Sequence, residues 1–354
     1  MKKGISILIC THNGSEKIKT TLDHLAKQKV SPSIPWEVIL VDNASTDGTA
    51  EVAQAAWTSD VPLRIIPEAQ LGVAHARITG MNACQFPYIS FIDDDNWVAE
   101  NWVETAYNAM ENHPDAGAIG GPSEAVLAAP APEWFTRYAK NYAVGAQYEK
   151  AGEITKETGL LWGAGLVIRK EAWDLLYRNG FTPLLISRKG KALLSGEESE
   201  MLLLFKWMGL SLYYIPDLKI QHFMPADRLD WRYYLRLRKG LGATSVYLEL
   251  YRSVMAAINQ GEDLNPSPWV KDLFQSLKQA LRDPLALAAG LLNLKQGNFR
   301  IATAYFYWGR LIQRLKLGPK QRELQNTLYN KVAPLKDIWN NQLTIPMAAQ
   351  IEWF

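Results

Sequence analysis

The chain has 354 residues, enough to bury one large core with an appendage or two domains, and its 48% hydrophobic and 21% charged content is that of a globular protein. A net charge of +2 leaves no overall nucleic-acid footprint. Its two cysteines, Cys10 and Cys84, sit in apolar patterns that exclude a disulfide framework or a zinc spacing and suit a reducing, cytoplasmic setting.

Met1-Lys2-Lys3 passes straight into an apolar run that reads as a strand and not as a signal peptide, and no stretch of about 18 apolar residues calls for a membrane-crossing helix. Over the first two hundred residues, short apolar runs alternate with helical spacing. Residues 5–10, 36–41, 63–66, 88–92 and 117–120 read as strands, and 16–29, 49–57, 73–84 and 98–112 as helices. That order predicts an α/β fold with a mostly parallel sheet and helices on both faces.

The first strand ends in Thr11-His12-Asn13-Gly14 and the second in Asp42-Asn43-Ala44-Ser45-Thr46-Asp47-Gly48. Polar residues thus bunch where ligands of open α/β sheets sit. Thr46 or Asp47 as a helix cap explains part of this. Asp42 follows its strand directly and is expected to face the same crevice as Asp93. Gly72-Val73-Ala74-His75-Ala76-Arg77 is a loop entering a helix, and a helix N-terminus with an arginine suits an anionic ligand such as a diphosphate. A surface salt bridge is the competing reading of Arg77.

The run 88–92 ends abruptly in Asp93-Asp94-Asp95. Alternation along a strand sends Asp93 and Asp95 one way and Asp94 another. Two carboxylates about 6 Å apart repel by roughly 3 kcal/mol at an effective dielectric of about 20, and a divalent cation removes that cost. A solvated acidic turn capping the next helix is the plainer alternative.

Taken in order and spacing, Thr11-His12-Asn13, the 41–49 segment, Gly72–Arg77 and Asp93-Asp94-Asp95 resemble a family 2 glycosyltransferase, over about residues 4–240. The resemblance implies a GT-A fold. It implies that Thr11, Asn13 and Asp42 line the nucleotide pocket, with Asp42 near the base and Arg77 and Asp94 among the nucleotide-sugar contacts. Asp93 is implied to help hold the ribose and metal, and Asp95 to ligate Mn²⁺ or Mg²⁺ directly. His12 stands where the family often has Tyr.

Beyond Gly120-Gly121-Pro122 the alternation stops. Trp134, Phe135, Tyr138, Tyr142 and Tyr148 mark an aromatic segment that reads as core packing or as a binding loop. Trp162-Gly163-Ala164-Gly165 leads into a strand whose small residues permit close backbone approach. The resemblance puts Gly163 under the donor sugar, and Trp162 is expected at the acceptor. Ser195-Gly196-Glu197-Glu198-Ser199-Glu200 opens an apolar helix, as an ordinary Ser cap with acids in the first turn or as the seat of a general base. The family usually has Glu-Asp here, so position makes Glu198 the base and Glu197 the residue that orients the acceptor. Two short strands at 210–215 and 218–220 precede His222, where the family often completes the metal shell.

Residues 271–336 carry twelve Lys or Arg against three acids, with Tyr305, Phe306, Tyr307 and Trp308 interleaved. Helices packed on the catalytic domain explain this, and so does a basic-aromatic surface for an anionic membrane. The expected layout is a GT-A domain over 1–240, with its nucleotide half to about 122 and its acceptor half from 123, then a helical region over 241–354. The expected function is metal-dependent, inverting transfer from a nucleotide-diphosphate sugar, UDP-sugars first, to a saccharide or lipid-linked acceptor in cell-surface or exopolysaccharide synthesis. The expected setting is cytoplasmic, with peripheral attachment at the membrane. Three rivals differ. A haloacid-dehalogenase-like phosphatase wants Thr or Val where Trp97 stands, a dinucleotide oxidoreductase lacks its G-x-G-x-x-G, and a non-catalytic scaffold would bind donor without turnover.

Overall fold

The computed structural model describes residues 3–157, 160–185, 196–261 and 269–343. Strands β1 (Ile5–Thr11) and β2 (Trp36–Asn43) are near-continuous apolar runs because both faces of the sheet are covered. Ile5, Ile7, Ile9, Val38, Leu40 and Val41 have no exposed surface. Between and after them come α1 (Ile18–Ala26), α2 (Thr49–Ala56), β3 (Leu63–Glu68), α3 (Val73–Ala83) and β4 (Tyr88–Asp93). Then follow β5 (Asn96–Val98), α4 (Trp102–Asn112), β6 (Ala116–Gly120), β7 (Ser123–Leu127), α5 (Phe135–Tyr138) and β8 (Gly152–Glu153). The sheet region closes with β9 (Val167–Arg169), α6 (Lys170–Arg178), α7 (Glu197–Trp207), β10 (Ser211–Tyr214) and β11 (Ile220–Met224).

The described strands form one large sheet in the order β3-β2-β1-β4-β9-β6-β10-β8 and a small one in the order β5-β11-β7. β3, β2, β1 and β4 run parallel, while β9 is antiparallel to both β4 and β6. Register sets Thr11 beside Asp42 and Cys10 beside Asp93, so the acids ending β2 and β4 flank the end of β1.

Two sequence expectations are corrected here. Residues 96–98 are not the start of a helix: Val98 is buried and pairs with Ile220, which delays α4 to Trp102. β11 runs on to Met224, so His222 lies within a strand, opposite Asn96, and not after one. The expected cap at Ser195 lies outside the described residues, as do Pro266 and Pro268 of the segment 261–269, whose sequence reads as a linker.

The C-terminal region is helical: α8 (Trp231–Gln260), α9 (Trp269–Ala280), α10 (Pro284–Leu291), α11 (Phe299–Leu317), α12 (Lys320–Val332) and α13 (Ile338–Leu343). Asp230 caps α8 by accepting from the backbone N–H of Arg232 at 2.6 Å and of Tyr233 at 3.3 Å. The helix then passes unbroken through residue 240, where a boundary was expected. Helices α8 and α11 meet backbone to backbone, since a Cβ on Gly242 would stand 2.0 Å from the Phe306 carbonyl oxygen, and one on Gly309 2.0 Å from that of Lys239. Arg310 and Arg314 both pair with Glu249, at 2.6 and 2.8 Å. The run Tyr305–Trp308 is accordingly half-buried among helices and does not form the open aromatic face the sequence suggested, and Arg238 covers the Phe306 ring. Trp134, Phe135, Tyr138 and Tyr142 share a core with Trp231, Tyr234, Ile301 and Ala302, which is the packing reading of that aromatic segment. No described helix is long and apolar enough to cross a membrane.

Candidate active site

At the ends of β1 and β2 a hydrogen-bonded lattice fixes the two loops against each other. Asn13, at φ 52°, donates its backbone N–H to Ser45 Oγ and accepts from the Thr46 N–H at 2.8 Å. His12 Nδ1 donates to the Asn43 carbonyl at 2.8 Å. Asn43 itself spans to the next loop, donating to the carbonyls of Glu68 and Gln70 and accepting from the Gly72 N–H. Asp42 stays half-exposed at the crevice, its Oδ1 accepting from the Ser45 N–H at 3.3 Å.

Thr11 and Asp94 turn to each other. The Thr11 hydroxyl donates to Asp94 Oδ2 at 2.7 Å, and Lys17 pairs with Asp94 Oδ1 at 3.1 Å. Burial raises the Asp94 carboxyl above its ordinary value against the pull of Lys17. In this geometry both residues hold the first loop onto the acidic turn.

Asp93, with 40% of its side chain exposed, opens to the crevice, and Arg77 Nη2 lies 3.8 Å from its Oδ1. The same guanidinium binds Glu197 Oε1 at 2.9 Å and Glu198 Oε2 at 3.2 Å. Burial raises the Glu197 carboxyl, and Arg77 pulls it back down. Glu198 is the more open of the pair, 20% exposed against 8%. It lies against Gly163, where an added Cβ would come within 3.3 Å of its Cγ and Cδ. Half-buried Trp162 is fixed next to it through its backbone N–H, which donates to Gln147 Oε1 at 2.8 Å. Behind these groups runs a narrow apolar crevice lined by Ile78, Met81, Phe91, Trp173 and Met201.

Asp95 is buried at the start of the small sheet, where its carbonyl accepts from the Phe223 N–H at 2.8 Å. That bond and the β5–β11 register bring His222 Nε2 to 3.6 Å from Asp95 Oδ1, while Arg228 Nη1 stands 3.1 Å from Oδ2. Burial lowers the His222 pKa, Asp95 opposes this and Arg228 adds to it, so the ring is held neutral. Its Nδ1 is buried without a hydrogen-bond partner among the described residues. A neutral imidazole beside a carboxylate oxygen is a chemically suitable pair for a divalent cation. Among the described residues no three or more His, Cys, Asp or Glu are grouped to hold one. Asp95 and His222 are thus the side chains of this site that would hold such an ion.

Residues 6–176 match the model of glycosyl transferase family 2. The chain carries a family 2 glycosyltransferase domain. It is 30% identical over 122 residues to Glycosyltransferase GlyG of Streptococcus pneumoniae serotype 4, which is 34% of this chain and 39% of that one. It is 22% identical over 232 residues to the glucosyl-dolichyl phosphate glucuronosyltransferase of Haloferax volcanii, covering 64% and 72%. The match to Glycosyltransferase GlyA of the same Streptococcus strain spans only 16% of that protein, so the chain covers well under half of the first two relatives. Mannosyltransferase PcManGT from Pyrobaculum calidifontis, in complex with GDP-Man and Mn²⁺, aligns with a TM-score of 0.52 at 19% identity over 96% of this chain and 88% of that one. The fold of the family 2 glycosyltransferase domain is GT-A.

The family match ends before Glu197, Glu198, His222 and Arg228, so their roles rest on geometry. Sequence reasoning missed Arg228 and Asn43. Arg228 sits on a single 3₁₀ turn without periodicity, and Asn43 was hidden within a polar loop.

Proposed function

We propose that this chain moves a sugar from a nucleotide-diphosphate donor to a hydroxyl of a saccharide or lipid-linked acceptor, with inversion, in cell-surface polysaccharide assembly. The observation that carries the reading is the group of acids gathered at and beyond the carboxyl ends of β2 and β4. Asp42 and Asp93 flank the end of β1, Asp95 meets His222, and Glu198 stands across Arg77 from Asp93. Asp42, half-exposed beside the Asn13 and Ser45 loops, meets the base. Asp93 reaches the ribose. Asp95 and His222 would hold a Mn²⁺ or Mg²⁺ ion, which would supply positive charge beside the departing diphosphate. Complexes of related folds fit this reading, since PcManGT was obtained with GDP-Man and Mn²⁺.

Glu198 acts as the general base, a reading supported by its being the more exposed carboxylate of the pair. Its oxygen takes the acceptor proton as the acceptor oxygen bonds to the sugar carbon. The bond from that carbon to the diphosphate oxygen breaks, and its electron pair leaves with the diphosphate. One displacement inverts the carbon. Glu197, nearly closed from solvent, serves by fixing Arg77, and Arg77 in turn aims Glu198. Gly163 leaves room for the sugar beside Glu198, and Trp162 offers the acceptor an aromatic face.

Incubation of the full chain with labelled UDP- and GDP-sugars, Mn²⁺ and a panel of saccharide and polyprenyl-linked acceptors tests this. Labelled product from wild type and none from Glu198→Gln is expected. Donor binding without transfer to any acceptor would favour the scaffold instead.

A further inference from the structure

We propose that α9 and α10 form a docking surface for an anionic lipid bilayer, a role that does not depend on the catalytic reading. Of the eleven strongly exposed large apolar side chains among the described residues, eight fall between Val270 and Phe299. Phe274, Leu281, Leu285, Leu291, Leu292 and Phe299 are 54–80% exposed. The cause lies in how the helices pack. Both turn small residues inward, Ser276 and Ala280 from α9 and Ala286 and Gly290 from α10. Gly290 sits so close to α11 that a Cβ would meet the Tyr305 ring at 2.4 Å. Large side chains are left outside, the reverse of a helix patterned for water.

Helix α10 reads Pro-Leu-Ala-Leu-Ala-Ala-Gly-Leu, with no polar side chain at all. A helix apolar on every side belongs in a covered setting. The charges around it choose the cover. Lys271, Lys278, Arg282 and Lys295 are exposed and have no carboxylate partner among the described residues. The two acids of the segment are both engaged, Asp283 by the exposed Arg300 at 2.6 Å and Asp272 toward the buried Arg314 at 3.6 Å. The result is an apolar face rimmed by unopposed cations, which matches acyl chains beneath anionic headgroups. A second copy meeting this face by two-fold symmetry would set the same cations against each other.

The surface is tied to the site. The Gly297 carbonyl, at the α10–α11 turn, accepts from the Tyr138 hydroxyl at 3.0 Å, and the Tyr142 hydroxyl donates to the Arg228 carbonyl at 3.1 Å. Docking there would hold the catalytic face at a fixed height above a lipid-borne acceptor.

The test is co-sedimentation of the full chain with vesicles of phosphatidylcholine alone and of phosphatidylcholine with phosphatidylglycerol. Wild type is expected to bind the mixed vesicles. Leu285→Ser/Leu291→Ser/Leu292→Ser should lower partitioning by about tenfold or more, with little change in melting temperature since these side chains are 70–80% exposed. Lys271→Glu/Lys278→Glu should remove the preference for the anionic lipid. Wild type that does not bind either vesicle, or a leucine variant that binds like wild type, overturns the proposal. So does a leucine variant that turns a dimer into a monomer without any change in vesicle binding.

Discussion

Arg77 and Glu198 lie 121 positions apart in the chain, and their side chains meet at 3.2 Å. The guanidinium also reaches Asp93 and Glu197, so one buried cation sets the position of acids from two elements. A buried charge with one partner removed costs far more than the pair contributes.

Arg77→Met therefore should destabilise the protein by about 3–5 kcal/mol, because Glu197 stays buried without its counter-charge. Glu197→Gln combined with Arg77→Met should lose less than the two single changes summed. Urea unfolding of the four proteins measures the coupling, and strict additivity would show that the contact carries no energy.

Glu198→Gln should leave donor affinity within about twofold of wild type and lower kcat by about 10²–10⁴. Calorimetry with the donor and a transfer assay separate the two effects. Equal losses in binding and turnover would move the base elsewhere.

Gly163→Ala probes the same carboxylate by shape. The added methyl sits 3.3 Å from Glu198 Cγ and Cδ, so Glu198 must give way by a few tenths of an ångström. A fall in kcat of about tenfold with little change in melting temperature is expected, since small misplacements of a reacting group are costly. Unchanged kcat would mean that Glu198 is free to shift without consequence.

Glu200 looked like an ordinary acid in a helix's first turn, yet it is fully buried. Its two oxygens accept from the backbone N–H groups of Leu184 and Leu185, both at 2.9 Å. Burial, opposed by those donors, raises its pKa to about 8 from 4.5. The folded state then keeps a proton that the unfolded chain has released. This contribution to stability is complete below about pH 4.5, falls as pH rises, and levels off above about pH 8. The slope is at most about 1.4 kcal/mol per pH unit. Glu200→Gln should lack that slope, and unfolding curves for both proteins across this range would show it. A difference between them that does not vary with pH contradicts the assignment.

The parallel half of the sheet was legible because buried strands and amphipathic helices repeat with clear periods, and Asp42 and Asp93 fall at the ends of β2 and β4 as that pattern implies. The small sheet was not. β5 has three residues and gains its identity from pairing with β11, more than a hundred positions later. His222 was expected beyond a strand for that reason, and Arg228 escaped notice because its partner Asp95 is visible only in three dimensions. Arg77 was read either as a contact for an anionic ligand or as a surface salt bridge, and its three carboxylate partners could not be named because they come from a strand end and a helix start distant in sequence. The aromatic residues of α11 matched a membrane face in composition, but glycines at 242 and 309 draw α11 onto α8 and bury them in part.

The most direct test of the donor site is thermal unfolding of wild type and Asp95→Asn with UDP, GDP and their sugars, each with and without Mn²⁺. A ligand at a hundred times its dissociation constant adds about 2.7 kcal/mol to stability, a readily seen shift. One nucleotide should stabilise wild type, more strongly with Mn²⁺, and the metal-dependent part should vanish in Asp95→Asn. No shift with any nucleotide, or a Mn²⁺ increment that survives Asp95→Asn, would contradict the site.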